Sequence, residues 1–336
     1  MNAREISYRL NESQFDVIIF YLKKPDPRLI KDNIKLIKVP QYNGEALPFI
    51  TLSYYTKHLF DHADVLFFPR GLRGYLYLIL KNSLIDKKKT IFSVENVMPF
   101  PGWGWFEEFL QRFHVNMCDY VYSNSKYVAE TVKTYFGKSS KVIYTGVDTN
   151  IFVPPKKSRF FKNRVQVLYV GSFQTRKRPQ LILEAARCFP NVDFTLIGSG
   201  PMQNSLFEMK RSMKLDNVTI RPPIPLDSLV ASLQHSDVFL FPSMQEGFPK
   251  VTIEAAATGL PAIVFDNYKP ETVINGETGF IVGDFDEMIS KLKLLIENLY
   301  LRKQMGERAR KYAQQFDWNQ ITRQWEAEFV EIIGEK

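Results

Sequence analysis

The sequence predicts an α/β protein made of two doubly wound parallel-sheet domains, and three observations predict it. Short β-branched or aromatic runs alternate with helical patterns from Asp64 onward, and the alternation restarts after a Pro- and Lys-containing stretch. The chain also has 336 residues, too many for one ordinary core. Alternating strands and helices imply parallel pairing, because each helix returns the chain to the edge where the previous strand began.

In the first half, strands are expected over residues 64–68, 90–94, 119–123 and 141–144, separated by helices over 71–84, 106–117 and 126–136. Ahead of them, residues 3–11 read as a helix and 16–21 as the first strand. The linker is the weakly periodic stretch 148–163, which carries Pro154, Pro155, Lys156, Lys157 and Arg159. Beyond it, strands are expected over 165–170, 193–197, 218–220, 237–241 and 262–265, and helices over 179–187, 202–213, 228–235 and 251–257. Past Gly279-Phe280-Ile281-Val282, helical patterns run to the end through 288–298, 301–314 and 318–333. The expected domains are 1–153 and 154–315, with a C-terminal helix, 316–336, packing back on the first.

Composition narrows the function classes. The 45% hydrophobic and 24% charged residues are those of a globular protein. No run of eighteen uncharged apolar residues exists and the first residues lack a secretory apolar core, so a cytoplasmic location is expected. Cys118 and Cys188 have no metal-ligand spacing and read as small buried hydrophobes. The net charge of +8 favours a polyanionic partner, but the cations are spread over both halves. One tight run, Lys87-Lys88-Lys89, makes no duplex-binding stripe, so nucleic acid is not expected. His58 and His62 have the i, i+4 spacing of a ligand pair without an evident third ligand, and they read as a wet helix face.

Three loops carry the residues with chemistry, and each follows a predicted strand of the second domain. In the segment 242–261, Glu246 lies on the loop after a strand, at the carboxyl edge where open α/β sheets bind ligands. Gly247 allows close backbone approach there, and Pro249 suits the first turn of a helix whose free N–H groups face the same place. Glu254 falls one turn into that helix, within reach of a hydroxyl-bearing ligand such as ribose. The second loop, Gly171-Ser172-Phe173-Gln174-Thr175-Arg176-Lys177-Arg178, places three adjacent cations before a helix, a clamp for a diphosphate. The third is the turn Gly198-Ser199-Gly200-Pro201. Each alone is also what a solvated loop looks like; together they converge on one edge, as a nucleotide-diphosphate pocket requires.

These residues resemble a known family. From Cys118 to the C-terminus the chain is similar to the glycosyl transferases group 1 domain, glycosyltransferase family four, of retaining enzymes with the two-Rossmann GT-B fold. The resemblance rests on Cys118–Ser125, Thr145–Phe152, the Arg176-Lys177 loop, Gly198–Pro201, Glu246 and Glu254 with seven residues between them, Gly276–Phe280, and Phe316-Asp317-Trp318. It implies two domains facing a cleft, a nucleotide-diphosphate sugar as donor, front-face attack and no metal or other cofactor. By that resemblance Glu246 holds hydroxyls of the donor sugar, and the backbone of Gly247, Phe248, Pro249, Lys250 and Val251 faces the diphosphate. Glu254 binds the ribose, Arg176 and Lys177 neutralise the leaving diphosphate, and Gly171, Ser172, Gly198, Gly200 and Pro201 line the donor. Backbone near 221–224 would recognise the base. Ser172 stands where relatives often carry Arg, and Arg176 is the candidate to compensate.

The acceptor half departs from the family. Relatives open on a strand and a glycine-rich turn, whereas this sequence opens on the helix that would follow them. Glu95-Asn96 stands where many relatives carry His followed by an acid. Glu95 either binds or deprotonates the acceptor, or is an ordinary acid at a strand end. Pro99–Phe106 and Tyr75–Leu80, the latter flanked by Arg70, Arg73, Lys81 and Lys87–Lys89, suit a lipid-linked or polysaccharide acceptor and docking on an anionic membrane face. They equally suit a buried helix and a loop packed on its own domain. The rival to a transferase is a catalytically silent nucleotide-sugar-binding scaffold of the same fold, and a third reading is a nucleotide-sugar epimerase.

Overall fold

The structure is a computed structural model and describes residues 2–21, 24–38, 63–68, 88–98, 104–156 and 164–334. The chain divides into two compact units, Met1–Thr145 with Trp318–Lys336, and Gly146–Asp317.

The first unit begins with helix α1 (Asn2–Ser7), shorter than the expected 3–11 because the chain turns after Ser7, where the Ile6 carbonyl accepts from both Arg9 N–H and Leu10 N–H. Strand β1 (Val17–Tyr21) pairs in parallel with β2 (Ile34–Lys38), a strand that the sequence reading missed. The four strands β3 (Val65–Phe68), β4 (Lys89–Val94), β5 (Tyr120–Ser123) and β6 (Lys141–Val142) form a second parallel sheet in that order. Helix α2 (Trp105–Met117) and helix α3 (Lys126–Phe136) follow β4 and β5. Ser125 caps α3 by accepting from Val128 N–H, and Gly137 ends it at φ 76°. The expected helix 71–84, the aromatic run 75–80 and the pair His58 and His62 lie outside the described residues, as do Pro99–Trp103.

The second unit is one six-stranded parallel sheet. Its elements are β7 (Gln166–Val170), α4 (Gln180–Cys188), β8 (Asp193–Ile197), α5 (Gln203–Ser212), β9 (Val218–Arg221), α6 (Leu226–His235), β10 (Val238–Phe241), α7 (Lys250–Ala257), β11 (Ala262–Phe265) and β12 (Gly279–Val282). The order across the sheet is β12-β11-β10-β7-β8-β9. The chain therefore starts in the middle, winds outward to β9, then crosses to β10 on the other side of β7. Ligands bind outside the carboxyl ends of the strands at such a reversal. Strands β10 and β11 are buried along their whole length, which is why they read as continuous apolar runs and not as alternating ones. Strand β12 was not read as one. Cys118 is buried as expected, but Cys188 is exposed, because it ends α4 on the solvent side.

Helices α8 (Phe285–Glu297) and α9 (Leu299–Ala313) close the second unit, capped by Asp284 and Asn298. Arg310 on α9 donates to the carbonyls of Phe152 (2.8 Å), Ala257 (2.8 Å) and Thr149 (3.0 Å). The last helix, α10 (Trp318–Gly334), belongs to the first unit. There Trp325 packs on Tyr122 (4.7 Å between ring centroids) and Phe67 (5.3 Å), and Tyr122 donates to Glu328 at 2.6 Å.

Candidate functional site: the carboxyl edge of the six-stranded sheet

The central strands β7 and β10 deliver the two charged loops to the same point. Phe241 ends β10, and Pro242 to Pro249 carry the chain across the edge into α7. The loop after β7 makes one 3₁₀ turn, Thr175–Lys177, closed by Arg178 in the left-handed region at φ 48°. Two hydrogen bonds clip the loops together in opposite senses. Met244 N–H donates to the Arg176 carbonyl at 2.8 Å, and the Arg176 guanidinium donates to the Gln245 carbonyl at 3.1 Å.

Arg178 secures the same junction from behind. Its guanidinium lies 4.1 Å over the Phe265 ring, donates to the Pro242 carbonyl at 2.6 Å and to Asn267 Oδ1 at 3.0 Å. The sequence reading counts Arg178 among three cations that clamp a diphosphate. Here its side chain ties the loops after β7, β10 and β11 into one surface.

The charged pair at this junction is Lys177 and Glu246. The Lys177 ammonium contacts Glu246 Oε1 and lies 5.0 Å from the centroid of the Phe241 ring. Their side chains keep 12% and 11% of their accessible surface, so solvent screens them poorly. Burial pushes the Lys177 ammonium below the usual lysine range, and Glu246 opposes that shift. Arg176 Nη1 stands 3.8 Å from the same carboxylate oxygen. Two cations and one carboxylate leave a net positive centre, which suits a polyanion.

The glycine turns are fastened to one another. Gly171 N–H donates to the Ile197 carbonyl (3.0 Å), Phe173 N–H to Ser199 (2.8 Å), Met202 N–H to Phe173 (2.9 Å) and Gly198 N–H to Arg221 (3.0 Å). A Cβ on Gly198 would stand 1.9 Å from the Gly171 carbonyl oxygen, so only glycine lets these two loops touch. Gly200, at φ 155°, approaches the Phe173 backbone in the same way. Ser172 contributes its carbonyl, which accepts from the buried Tyr169 hydroxyl at 3.1 Å. Pro201 opens the turn into α5.

On the other side, Pro249 precedes the helix instead of occupying its first turn, because its backbone is extended there (φ -71°, ψ 105°). Lys250 and Val251 are the first helical residues, Phe248 is buried against Phe316, and Gly247 lies between Glu246 and Phe248 at the loop's end. Glu254 stands one turn into α7, partly buried. Burial pushes its carboxyl up to about 7, with Lys250 opposing.

Glu95 lies in the first unit at the carboxyl end of β4, where its carbonyl accepts from Asn124 Nδ2 at 3.1 Å. The structure thus brings Arg176, Lys177, Glu246 and the glycine turns together on the second unit, and places Glu95 on the first. Ser243 was missed. Its hydroxyl is fully buried and lies 2.5 Å from Glu246 Oε1, and a serine between a strand end and a glutamate loop gives no signal of its own in one sequence.

Comparison with known proteins identifies the domains. The glycosyl transferases group 1 family model matches residues 153–312, and the Glycosyltransferase Family 4 model matches residues 3–151. The chain is thus built of a Glycosyltransferase Family 4 domain followed by a glycosyl transferases group 1 domain. The two matches meet close to the boundary between the compact units. An uncharacterized glycosyltransferase of Haemophilus influenzae is 27% identical over 223 residues, covering 63% of this chain. The chain spans 61% of that relative's length, and 47% of a D-inositol 3-phosphate glycosyltransferase of Paenarthrobacter aurescens that is 29% identical over 52% of this chain. Among solved structures, sucrose-phosphate synthase from Thermosynechococcus elongatus superposes with a TM-score of 0.83 at 19% identity, over 99% of this chain and 93% of that one. Anabaena HepE, solved with UDP and glucose, superposes with a TM-score of 0.80 at 17% identity, over 98% and 96%. The fold is therefore the GT-B fold of glycosyltransferases, with parallel sheets in both units. No described helix is long and apolar enough to cross a membrane.

Proposed function

We propose that this glycosyltransferase moves a sugar from a nucleotide-diphosphate donor to an acceptor hydroxyl, with retention at the anomeric carbon and without a metal. The observation that carries the reading is the meeting of Arg176, Lys177 and Glu246 at the reversal point of the six-stranded sheet. As the bond from the anomeric carbon to the phosphate oxygen breaks, negative charge grows on the diphosphate and positive charge on the sugar ring. Lys177, Arg176 and the N–H groups at the start of α7 stabilise the first. Cations already fixed in a poorly screened site do so with little reorganisation. The acceptor oxygen attacks from the face the diphosphate leaves, and its proton passes to the departing phosphate oxygen, so no enzyme nucleophile is required.

Glu246 holds the donor-sugar hydroxyls and Glu254 the ribose, while the glycine turns admit the diphosphate against backbone. HepE, with UDP and glucose in its structure, supports a uridine nucleotide and a hexose as the first donor to test. On the acceptor side, Glu95 is the candidate to hold the acceptor hydroxyl for that attack. Trp105, Phe106 and Phe109 keep 82%, 47% and 57% of their surface exposed on α2, and favour an acceptor with an apolar, lipid-linked part. Flotation with anionic liposomes tests that point; recovery of all protein in the unbound fraction refutes it.

The decisive experiment assays sugar transfer and donor hydrolysis by Glu246→Ala and Lys177→Ala. Both variants are expected to lose turnover by a factor of at least ~100, the scale for removing one stabiliser of transition-state charge, while keeping the circular dichroism of the wild type. Unchanged turnover in both refutes the proposal. Calorimetric donor binding by the wild type, with no transfer to any acceptor, would instead mark a silent nucleotide-sugar-binding protein.

A further inference from the structure

We infer that Ser243 is a positioning residue that sets the donor-sugar preference of this site through the carboxylate of Glu246. The inference rests on the proposed role of Glu246 as the group that holds sugar hydroxyls. Ser243 lies two residues past the end of β10 and is 0% exposed. Its hydroxyl has three acceptors around it: Glu246 Oε1 at 2.5 Å, and the carbonyls of Arg176 and Gln245, each at 3.4 Å. A hydroxyl carries one proton, and the nearest and only charged acceptor receives it.

Glu246 Oε1 therefore takes two donors at once, the Ser243 hydroxyl from beneath and the Lys177 ammonium from the loop after β7. Arg176 stands 3.8 Å from the same oxygen. Among the described residues both hydrogen bonds to this carboxylate go to Oε1, which leaves Oε2 to receive ligand hydroxyls. The serine separates two duties that a single cation would confuse. If Lys177 alone held Oε1, a diphosphate drawing the ammonium toward itself would release the carboxylate. With the serine anchored in the strand end, the carboxylate keeps its orientation when Lys177 turns to the phosphate.

A positioning role predicts an effect on the sugar and none on the nucleotide. Full-length wild type is screened by calorimetry against UDP, GDP and ADP and their hexose conjugates, and the best-binding pair is carried forward. Ser243→Ala and Ser243→Cys change the volume of this buried position in opposite directions, yet both lack a strong hydroxyl donor. Each is expected to bind the free nucleoside diphosphate as the wild type does. The preference for the nucleotide sugar over the free diphosphate should fall roughly tenfold, the scale of one hydrogen bond to a charged group. Glu246→Ala serves as the reference and should abolish that preference.

Retention of the wild-type preference by either serine variant overturns the inference, provided Glu246→Ala loses it. Equal weakening toward diphosphate and nucleotide sugar also overturns it, since that would be loop damage. If Glu246→Ala keeps the preference, or if the wild type binds none of the panel, the reading of Glu246 fails, and the inference falls with it.

Discussion

Replacing Glu254 by Gln is expected to stabilise the protein above neutrality and to leave its stability unchanged near pH 4.5. Glu254 sits on α7 beside the buried residues Ile253 and Ala255, and burial raises its carboxyl from 4.5 to about 7. In the unfolded chain it titrates at the ordinary value. Between those two pH values the folded protein holds a proton that the unfolded chain has released, so stability falls as pH rises through the window and the loss is complete above it. At roughly 1.4 kcal/mol for each pH unit of separation, the loss amounts to about 3 kcal/mol. Gln keeps the size and polarity of the side chain without the charge, and so escapes that loss. In a domain of 150–250 residues each kcal/mol moves the melting temperature by about 2–4 °C, so the variant should melt about 6–12 °C above wild type at pH 8. Thermal unfolding of both proteins at several pH values provides the assay, and the difference between them at each pH removes the contribution of every other group. A difference that does not change with pH, or that grows toward acid, refutes the reasoning. The same variant should bind the nucleotide more weakly if Glu254 holds the ribose.

Two further predictions concern the framework. Gly198→Ala pushes a Cβ to 1.9 Å from the Gly171 carbonyl oxygen; overpacking of this kind costs about 1–3 kcal/mol and should lower both the melting temperature and donor affinity, measured by thermal shift with and without nucleotide. Trp325→Ala empties a site that is 3% exposed, between Phe67, Tyr122 and Phe329, at a cost of about 3–5 kcal/mol. Limited proteolysis should then degrade the first unit while a fragment near Gly146–Asp317 persists; simultaneous loss of both units would show that they do not unfold separately.

Most of the second unit was legible in the sequence. Strands 193–197 and 262–265 coincide with β8 and β11, because buried parallel strands are short apolar runs bounded by turn residues. The first unit was read less completely. Strand β2, Ile34-Lys35-Leu36-Ile37-Lys38, breaks apolar-polar alternation at Leu36-Ile37, and nothing local distinguishes it from a loop until β1 lies beside it. Strand β12 was passed over for a similar reason, since a four-residue run becomes a strand only against β11.

The sequence by itself determined the residue types of the site and the fold that carries them: a glutamate on the loop before a helix, cations after one strand, glycines after two, and the βα alternation that places all these loops on one edge. Tertiary structure decided which of them touch. The order β12-β11-β10-β7-β8-β9 makes neighbours of two strands separated by more than 65 residues, and so puts Lys177 on Glu246. Only that pairing reveals Ser243 beneath the carboxylate and Arg178 behind the loops. A side chain's charge is local to the chain, but the partner that fixes it is chosen by strand order, which no single stretch of sequence encodes.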